Sequence, residues 1–164
     1  MLSETKPFVQ ATIKIRDYTP EEKADVLHLL QKNTPAYFSP GEEADLLHYL
    51  EKEREYYYVL LSGNEIVGAG GINFSGKPAI GKISWDLVHP EHQGKGFGKR
   101  LLHFRLDKLK SMPEVEQITV RTSQFVYHFY EKAGFHLAEV VKDYWATGFD
   151  LYMMKYADGQ RFCL

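Results

Sequence analysis

The stretch H-P-E-H-Q-G-K-G-F-G-K-R-L-L, residues 89–102, decides how the rest of the chain is read. Glycines stand at every second position, Gly94, Gly96 and Gly98, between an apolar extended run and an amphipathic one. Residues without a Cβ turn the chain tightly and let backbone N–H groups approach a ligand. From Lys99 on the pattern is helical, so free amides and the positive end of a helix dipole converge on the turn. A strand, a glycine turn and a helix in that order form an anion site, whose usual occupant is a phosphate or pyrophosphate. The spacing G-x-G-x-G is neither a Walker A loop nor a dinucleotide fingerprint opening a first βα unit. Spacing alone leaves two readings open, a phosphate site and a purely structural turn.

Working outward, residues 79–88 read as a long strand feeding the turn, the fourth in the chain. Residues 11–17 alternate Ile13 and Ile15 with Lys14 and Arg16, the period of a half-buried strand. Thr19-Pro20-Glu21-Glu22 then starts a helix, with Thr19 capping and Pro20 at its first position. Val26, Leu27, Leu29 and Leu30 supply its apolar face. A loop over residues 33–41 carries Tyr37 and Phe38, rings that either line a site or close the core. Ser39 is expected to cap a second helix with Leu46, Leu47 and Leu50 inward. Residues 56–61 and 66–74 form a hairpin about Ser62-Gly63-Asn64-Glu65. Gly68, Gly70 and Gly71 in its return strand mark a bulge or a close approach by another group.

Beyond the glycine turn, Leu101, Leu102, Leu106 and Leu109 share a helix face, with Arg100, Arg105, Lys108 and Lys110 largely elsewhere. Pro113 stops that helix, and residues 115–121 read as a fifth strand. Thr122 or Ser123 is expected to cap a short helix that Gly134 ends as a left-handed C-cap. Residues 136–144 and 149–156 close the chain as a strand pair. The order β-α-α-β-β-β-α-β-α-β-β indicates an α/β (α+β) fold: a mixed, largely antiparallel sheet of about seven strands with helices on both faces.

Length bounds this to one domain over residues 1–164, with residues 1–10 read as a flexible N-terminal segment. Twenty Lys and Arg against 22 Asp and Glu give a net charge of −2, which argues against a general nucleic-acid binder. Any attraction for phosphate must be local, and no acidic cluster stands out that would select a polycation. The lone cysteine, Cys163, makes no intrachain disulfide. The first residues, M-L-S-E-T-K-P-F, lack the apolar core of a signal peptide. No apolar run reaches the roughly 20 residues that span a bilayer. The expectation is a cytoplasmic protein with no nucleic-acid or membrane partner. His89, His92 and His103 do not form a convincing metal cluster, since His-Pro-Glu-His is a common composition in a turn, and no metal is expected.

Q-x-x-G-x-G, after a strand ending V-H-P and before K-R-L-L, resembles the acetyl-CoA-binding motif of the GCN5-related N-acetyltransferase (GNAT) superfamily. F-Y-E-K-A-G-F, residues 129–135, resembles the family's second motif, and the two stand in family order and spacing. The resemblance implies acetyl-CoA as acyl donor, its pyrophosphate held by amides of Gln93, Gly94, Lys95, Gly96, Phe97 and Gly98. Lys95, Lys99 and Arg100 either add charge there or are ordinary solvated bases. The pantetheine arm is expected along the backbone of Leu87, Val88 and His89. Ser123 and Gln124 stand where many relatives carry an Asn that contacts CoA.

For chemistry, the resemblance implies that Tyr130 protonates the departing thiolate, a sensible task for a phenol with pKa near 10; the plain alternative is a buried aromatic. Asp86 is the only carboxylate within residues 80–88. Its parity pairs it with Ser84 and Val88, opposite Ile83, Trp85 and Leu87. It is either the base that deprotonates the amine or a carboxylate satisfied by loop amides, with Glu91, His89 and a water relay as fallbacks. The implied activity is acetyl transfer to an amine on a small molecule or peptide. A non-catalytic acyl-CoA sensor of the same fold is the alternative. Acceptor walls are expected from residues 33–41, from Asn73 and Phe74, and from the turn at residues 144–149 with Trp145. Homodimers through the last strands are common among relatives.

Overall fold

The computed structural model describes residues 11–157; the expected flexible segment 1–10 and Cys163 lie outside the described residues. The chain runs through β1 (Ile13–Asp17), α1 (Lys23–Lys32), α2 (Glu42–His48), β2 (Tyr56–Ser62), β3 (Glu65–Asn73) and β4 (Ile80–Val88). There follow α3 (Phe97–Lys110), β5 (Gln117–Thr122), α4 (Tyr127–Lys132), β6 (Phe135–Ala146) and β7 (Phe149–Tyr156). The strands make one seven-stranded sheet in the order β1-β2-β3-β4-β5-β7-β6. Every neighbouring pair is antiparallel except β4 with β5. This is the mixed, mostly antiparallel α/β sheet that the element order indicates.

Strand β2 shows why helices cover both faces. Tyr57 and Val59 pack with Val26, Leu29, Leu30 and Leu46 of α1 and α2, while Tyr58 and Leu60 pack with Leu101, Leu102 and Leu106 of α3. A strand apolar on both sides needs an apolar helix stripe on each.

Local chemistry sets most element ends. The chain enters α1 through a 3-10 turn at Pro20–Glu22, and the Thr19 amide donates to the Glu22 carboxylate at 3.0 Å. Ser39 is not the cap of α2, which Gly41 precedes; its amide donates to the Glu42 carboxylate at 2.6 Å instead. Helix α3 begins at Phe97, two residues before the expected Lys99. Helix α4 begins later than expected, because the Ser123 carbonyl accepts the amides of Val126 and Tyr127 and holds residues 123–126 in a turn. Gly134 adopts φ 110°, as its C-cap position requires.

The departure that matters lies in β4. Trp85 has φ 49°, and the register with β3 shifts between Ala69↔Leu87 and Gly71↔Ser84. Two residues, Trp85 and Asp86, therefore oppose Gly70, which is a β-bulge. The simple alternation fails there: Asp86 faces α3 and α4, as Ile83 does, whereas Ser84 and Trp85 face the α1–α2 side. The expected parity of Asp86 with Ser84 is thus corrected, while its parity with Val88 stands. Strands β4 and β5 pair only from Ile80↔Gln117 to Ile83↔Val120, and past the bulge they part.

Among the described residues no helix is long and apolar enough to cross a membrane. Leu106 is 1% exposed at the centre of the α3 contact. Leu106→Ala should lower unfolding free energy by about 2–5 kcal/mol in a denaturant titration.

Candidate active site

The parting of β4 and β5 leaves part of a strand edge without a strand beside it. The His89 amide donates to the Val67 carbonyl at 2.8 Å, so Val88, opposite Gly68, occupies the next, non-hydrogen-bonded position. Its N–H and C=O accordingly turn away from β3, into the gap. The carbonyl accepts Asn33 Nδ2 at 3.0 Å and Gln93 Nε2 at 3.2 Å. Asn33 is buried at the end of α1, and its Oδ1 accepts Gln93 Nε2 at 3.0 Å. Gln93 is thus fastened through its side chain to both the end of α1 and the end of β4.

The glycine turn follows. Gly94 and Gly96 have φ of 78° and 81°, and a Cβ on either would meet nothing within 4 Å. Their requirement is the left-handed backbone, not space. Gly98 differs, because a Cβ there would sit 3.4 Å from Val88 Cγ2 and from the Phe129 ring. The first amide to find an intrahelical acceptor is that of Arg100, on the Gly96 carbonyl. The N–H groups of residues 96–99 are left at the N-terminus of a 14-residue helix, an anion-binding arrangement.

A cleft of about 1200 Å³ runs from this turn along the gap to the segment around α2. Asp86 and Tyr130 lie at its floor. The Tyr130 hydroxyl donates to one Asp86 oxygen, and Arg105 pairs with the other. Arg105 is fully buried, and it also donates to the Leu101 carbonyl at 3.2 Å and the Gly71 carbonyl at 3.1 Å. Burial holds the Tyr130 phenol well above its ordinary pKa, and the Asp86 charge adds to this while Arg105 opposes it. The phenol is therefore neutral and carries its hydrogen.

The other half of the cleft is walled by Phe38 stacked on Trp85, by Tyr49, and by carboxylates of Glu42, Asp45 and Glu53. Tyr49 belongs to a π-turn, Tyr49–Glu53, that prolongs α2, and burial raises its phenol pKa too. Of the residues expected to wall an acceptor, Asn73 and Trp145 line the cleft and Phe74 does not.

Most of the residues singled out in sequence converge here: Asp86, Leu87, Val88, Gln93, Gly94, Gly96, Phe97, Gly98, Lys99, Ser123 and Tyr130 all border the cleft. Two do not. Lys95 is exposed off its wall, and His89 borders a separate depression with Arg16, Asp25 and His28. The His89 amide is already bonded to β3, which corrects its expected pairing with the pantetheine arm. Among the described residues no group of three or more His, Cys, Asp or Glu could hold a metal. Sequence reasoning missed Arg105, and it placed Asn33 only as the first residue of the loop expected to wall an acceptor. Arg105 had a signal, since it lies midway between Leu101 and Leu109 at helical spacing, on the buried face. Asn33 had none beyond closing a helix.

Gly96→Ala places a Cβ on a left-handed residue at about 1–2 kcal/mol. That strain is already present in the free protein, so Gly96→Ala should lower unfolding free energy by about 1–2 kcal/mol in a denaturant titration.

Comparison with known proteins agrees with this geometry. The model of the acetyltransferase (GNAT) family matches residues 23–135. Among curated proteins, the tRNA(Met) cytidine acetyltransferase TmcA of Actinobacillus pleuropneumoniae is 37% identical over 89 residues. That match covers 49% of this chain and only 15% of TmcA's length. Solved structures share the fold. The ribosomal-protein-S18-alanine N-acetyltransferase of Escherichia coli superposes with a TM-score of 0.73 at 17% identity, covering 93% of this chain and 100% of that one. An aminoglycoside 6'-N-acetyltransferase complexed with coenzyme A superposes with a TM-score of 0.70 at 16% identity, covering 87% and 95%. With its glycine turn, its parted β4 and β5 and this family match, the chain belongs to the GNAT family of acetyltransferases.

Proposed function

We propose that the chain is an N-acetyltransferase that moves the acetyl group of acetyl-CoA directly to an amine, with Tyr130 as the acid toward the departing sulfur. One observation carries this reading: a neutral, buried phenol lies at the floor of the gap where β4 and β5 part, beyond the helix-borne anion site. The amides of residues 96–99 suit a pyrophosphate, and the Val88 N–H suits an amide of the pantetheine arm. Acetyl-CoA would supply the activated acyl group. The Tyr130 O–H gives its hydrogen to sulfur as the C–N bond forms and the C–S bond breaks. An acceptor that arrives as an ammonium ion first gives one proton to cleft water, and the second proton, lost as the C–N bond forms, returns through water to the phenol oxygen.

A water relay is favoured as base because both Asp86 oxygens already have partners, and neither Glu91 nor His89 borders the cleft. The acceptor in this reading is a cationic amine. Glu42, Asp45, Glu53 and Glu55 line the cleft together with the stacked Phe38 and Trp85 rings, alongside the cations Lys82, Lys99 and Arg121. Carboxylates and aromatic faces both attract a cation, and the same carboxylates repel a phosphate backbone. That favours an amine over a nucleic acid such as the tRNA for which TmcA is named.

Release of free thiol from acetyl-CoA, followed across a panel of amines, tests this. Diamines and lysine-bearing peptides should be turned over faster than amino acids with free carboxylates, and tRNA should not be acetylated. Tyr130→Phe should lower kcat by about 10²–10⁴-fold, with the KM for acetyl-CoA changed no more than a few-fold. Unchanged turnover would remove Tyr130 from the mechanism.

A further inference from the structure

Arg105 is a cation with no exposed surface on a helix face otherwise made of leucines, and the transfer reaction as written makes no use of it. Its guanidinium joins three elements: its own helix at the Leu101 carbonyl, β3 at the Gly71 carbonyl, and the β4 bulge at Asp86. The sequence makes room for it. A Cβ on Gly70 would lie 2.6 Å from Asp86 Oδ1 and 2.7 Å from Arg105 Cζ. Such a pair is weak evidence for stability, since a hydrophobic replacement of similar volume is often neutral or stabilising. Its geometry needs another reason, and the third partner supplies one, because the second Asp86 oxygen receives the Tyr130 hydroxyl.

We infer that Arg105 is a positioning residue for the transfer reaction: by clamping Asp86 in the bulge it fixes the Tyr130 hydroxyl at the floor of the cleft. The inference rests on the reading of Tyr130 given above. The remaining contacts of Tyr130 are apolar: it is buried in the α3-side core, with the Phe129 and Phe135 rings at centroid distances of 5.1 and 5.7 Å, and these leave its oxygen undirected. Arg105 also counters the Asp86 charge at the phenol, drawing down the Tyr130 pKa that burial and Asp86 raise. Because Arg105 stands two turns into α3, the helix that offers its N-terminal amides to the pyrophosphate also locates the acid.

A double-mutant cycle on kcat decides the matter. Asp86→Asn is nearly isosteric, but its –NH₂ must face either Arg105 or Tyr130, so one of the two bonds is lost. Arg105→Lys keeps the charge and loses the fork. Each should lower kcat by about ten- to a hundredfold, with the KM for acetyl-CoA within about threefold of the parent and with CoA still raising Tm, as ligand linkage requires. On a Tyr130→Phe background the same changes should lower kcat no further, since the group they position is gone. Losses that add to that of Tyr130→Phe, or an unchanged kcat for Asp86→Asn, would overturn the inference and leave the acid role of Tyr130 standing. Full turnover by Tyr130→Phe alone would overturn the acid role itself. If Arg105→Lys fails to fold, Asp86→Asn and its double variant carry the cycle.

Discussion

One residue of chain, inserted in β4 opposite Gly70, does more to shape this molecule than any helix. A bulge bends its strand and disrupts the ladder locally. Here Trp85 takes a left-handed backbone, φ 49°, which a bulky side chain adopts only when its surroundings compensate. Compensation is visible on both sides of the sheet. The Trp85 ring packs against Phe38 and Tyr49, and its carbonyl accepts the Tyr57 hydroxyl at 3.0 Å. On the opposite face Asp86 is held by Arg105 and Tyr130. Beyond that point β4 and β5 no longer pair, and the cleft occupies the space between them.

Two kinds of recognition meet in that cleft, and each uses a different part of the covalent chain. One half presents backbone: the amides of residues 96–99, and the Val88 N–H turned away from β3. Such sites constrain φ at Gly94 and Gly96 and say little about neighbouring side chains, which is why Lys95 can stand exposed beside them. The other half presents side chains from α2, its π-turn extension and the bulge. Their carboxylates and rings set charge and shape, as ligand sites with a few placed polar groups do. Asn33 and Gln93 join the halves, since both bond to the Val88 carbonyl.

Charge burial follows the same division. The core on each side of the sheet is apolar, and Arg105 is its fully buried cation among the described residues. An ion that deep is tolerated because its donors reach two carbonyls and a carboxylate. Tyr49 and Tyr57 meet the related cost on the other face: both phenols are pushed up by burial, and both hydroxyls find acceptors, at Asn73 and Trp85. Gly71 leaves room for them as Gly70 does for Arg105, since a Cβ there would lie 2.6 Å from the Tyr49 oxygen. The glycines of β3 thus clear space for side chains on each face in turn.

Features governed by near neighbours in the chain are legible in the order of the amino acids. The period of two in Ile13–Asp17, the Thr19-Pro20-Glu21-Glu22 helix start, the Gly134 cap and the glycine turn before α3 depend on a few adjacent residues. Their order alone yields the sheet with helices on both faces. The tertiary structure decided what depends on distant partners. Asp86 meets Arg105 across 19 positions and Tyr130 across 44, and Gln93 meets Asn33 across 60. No periodicity encodes a bulge, so Asp86 read as a partner of Ser84 until its strand lay against β3. Arg105 could be placed on the leucine face by spacing, but only the fold supplies the carboxylate that makes a buried guanidinium stable there.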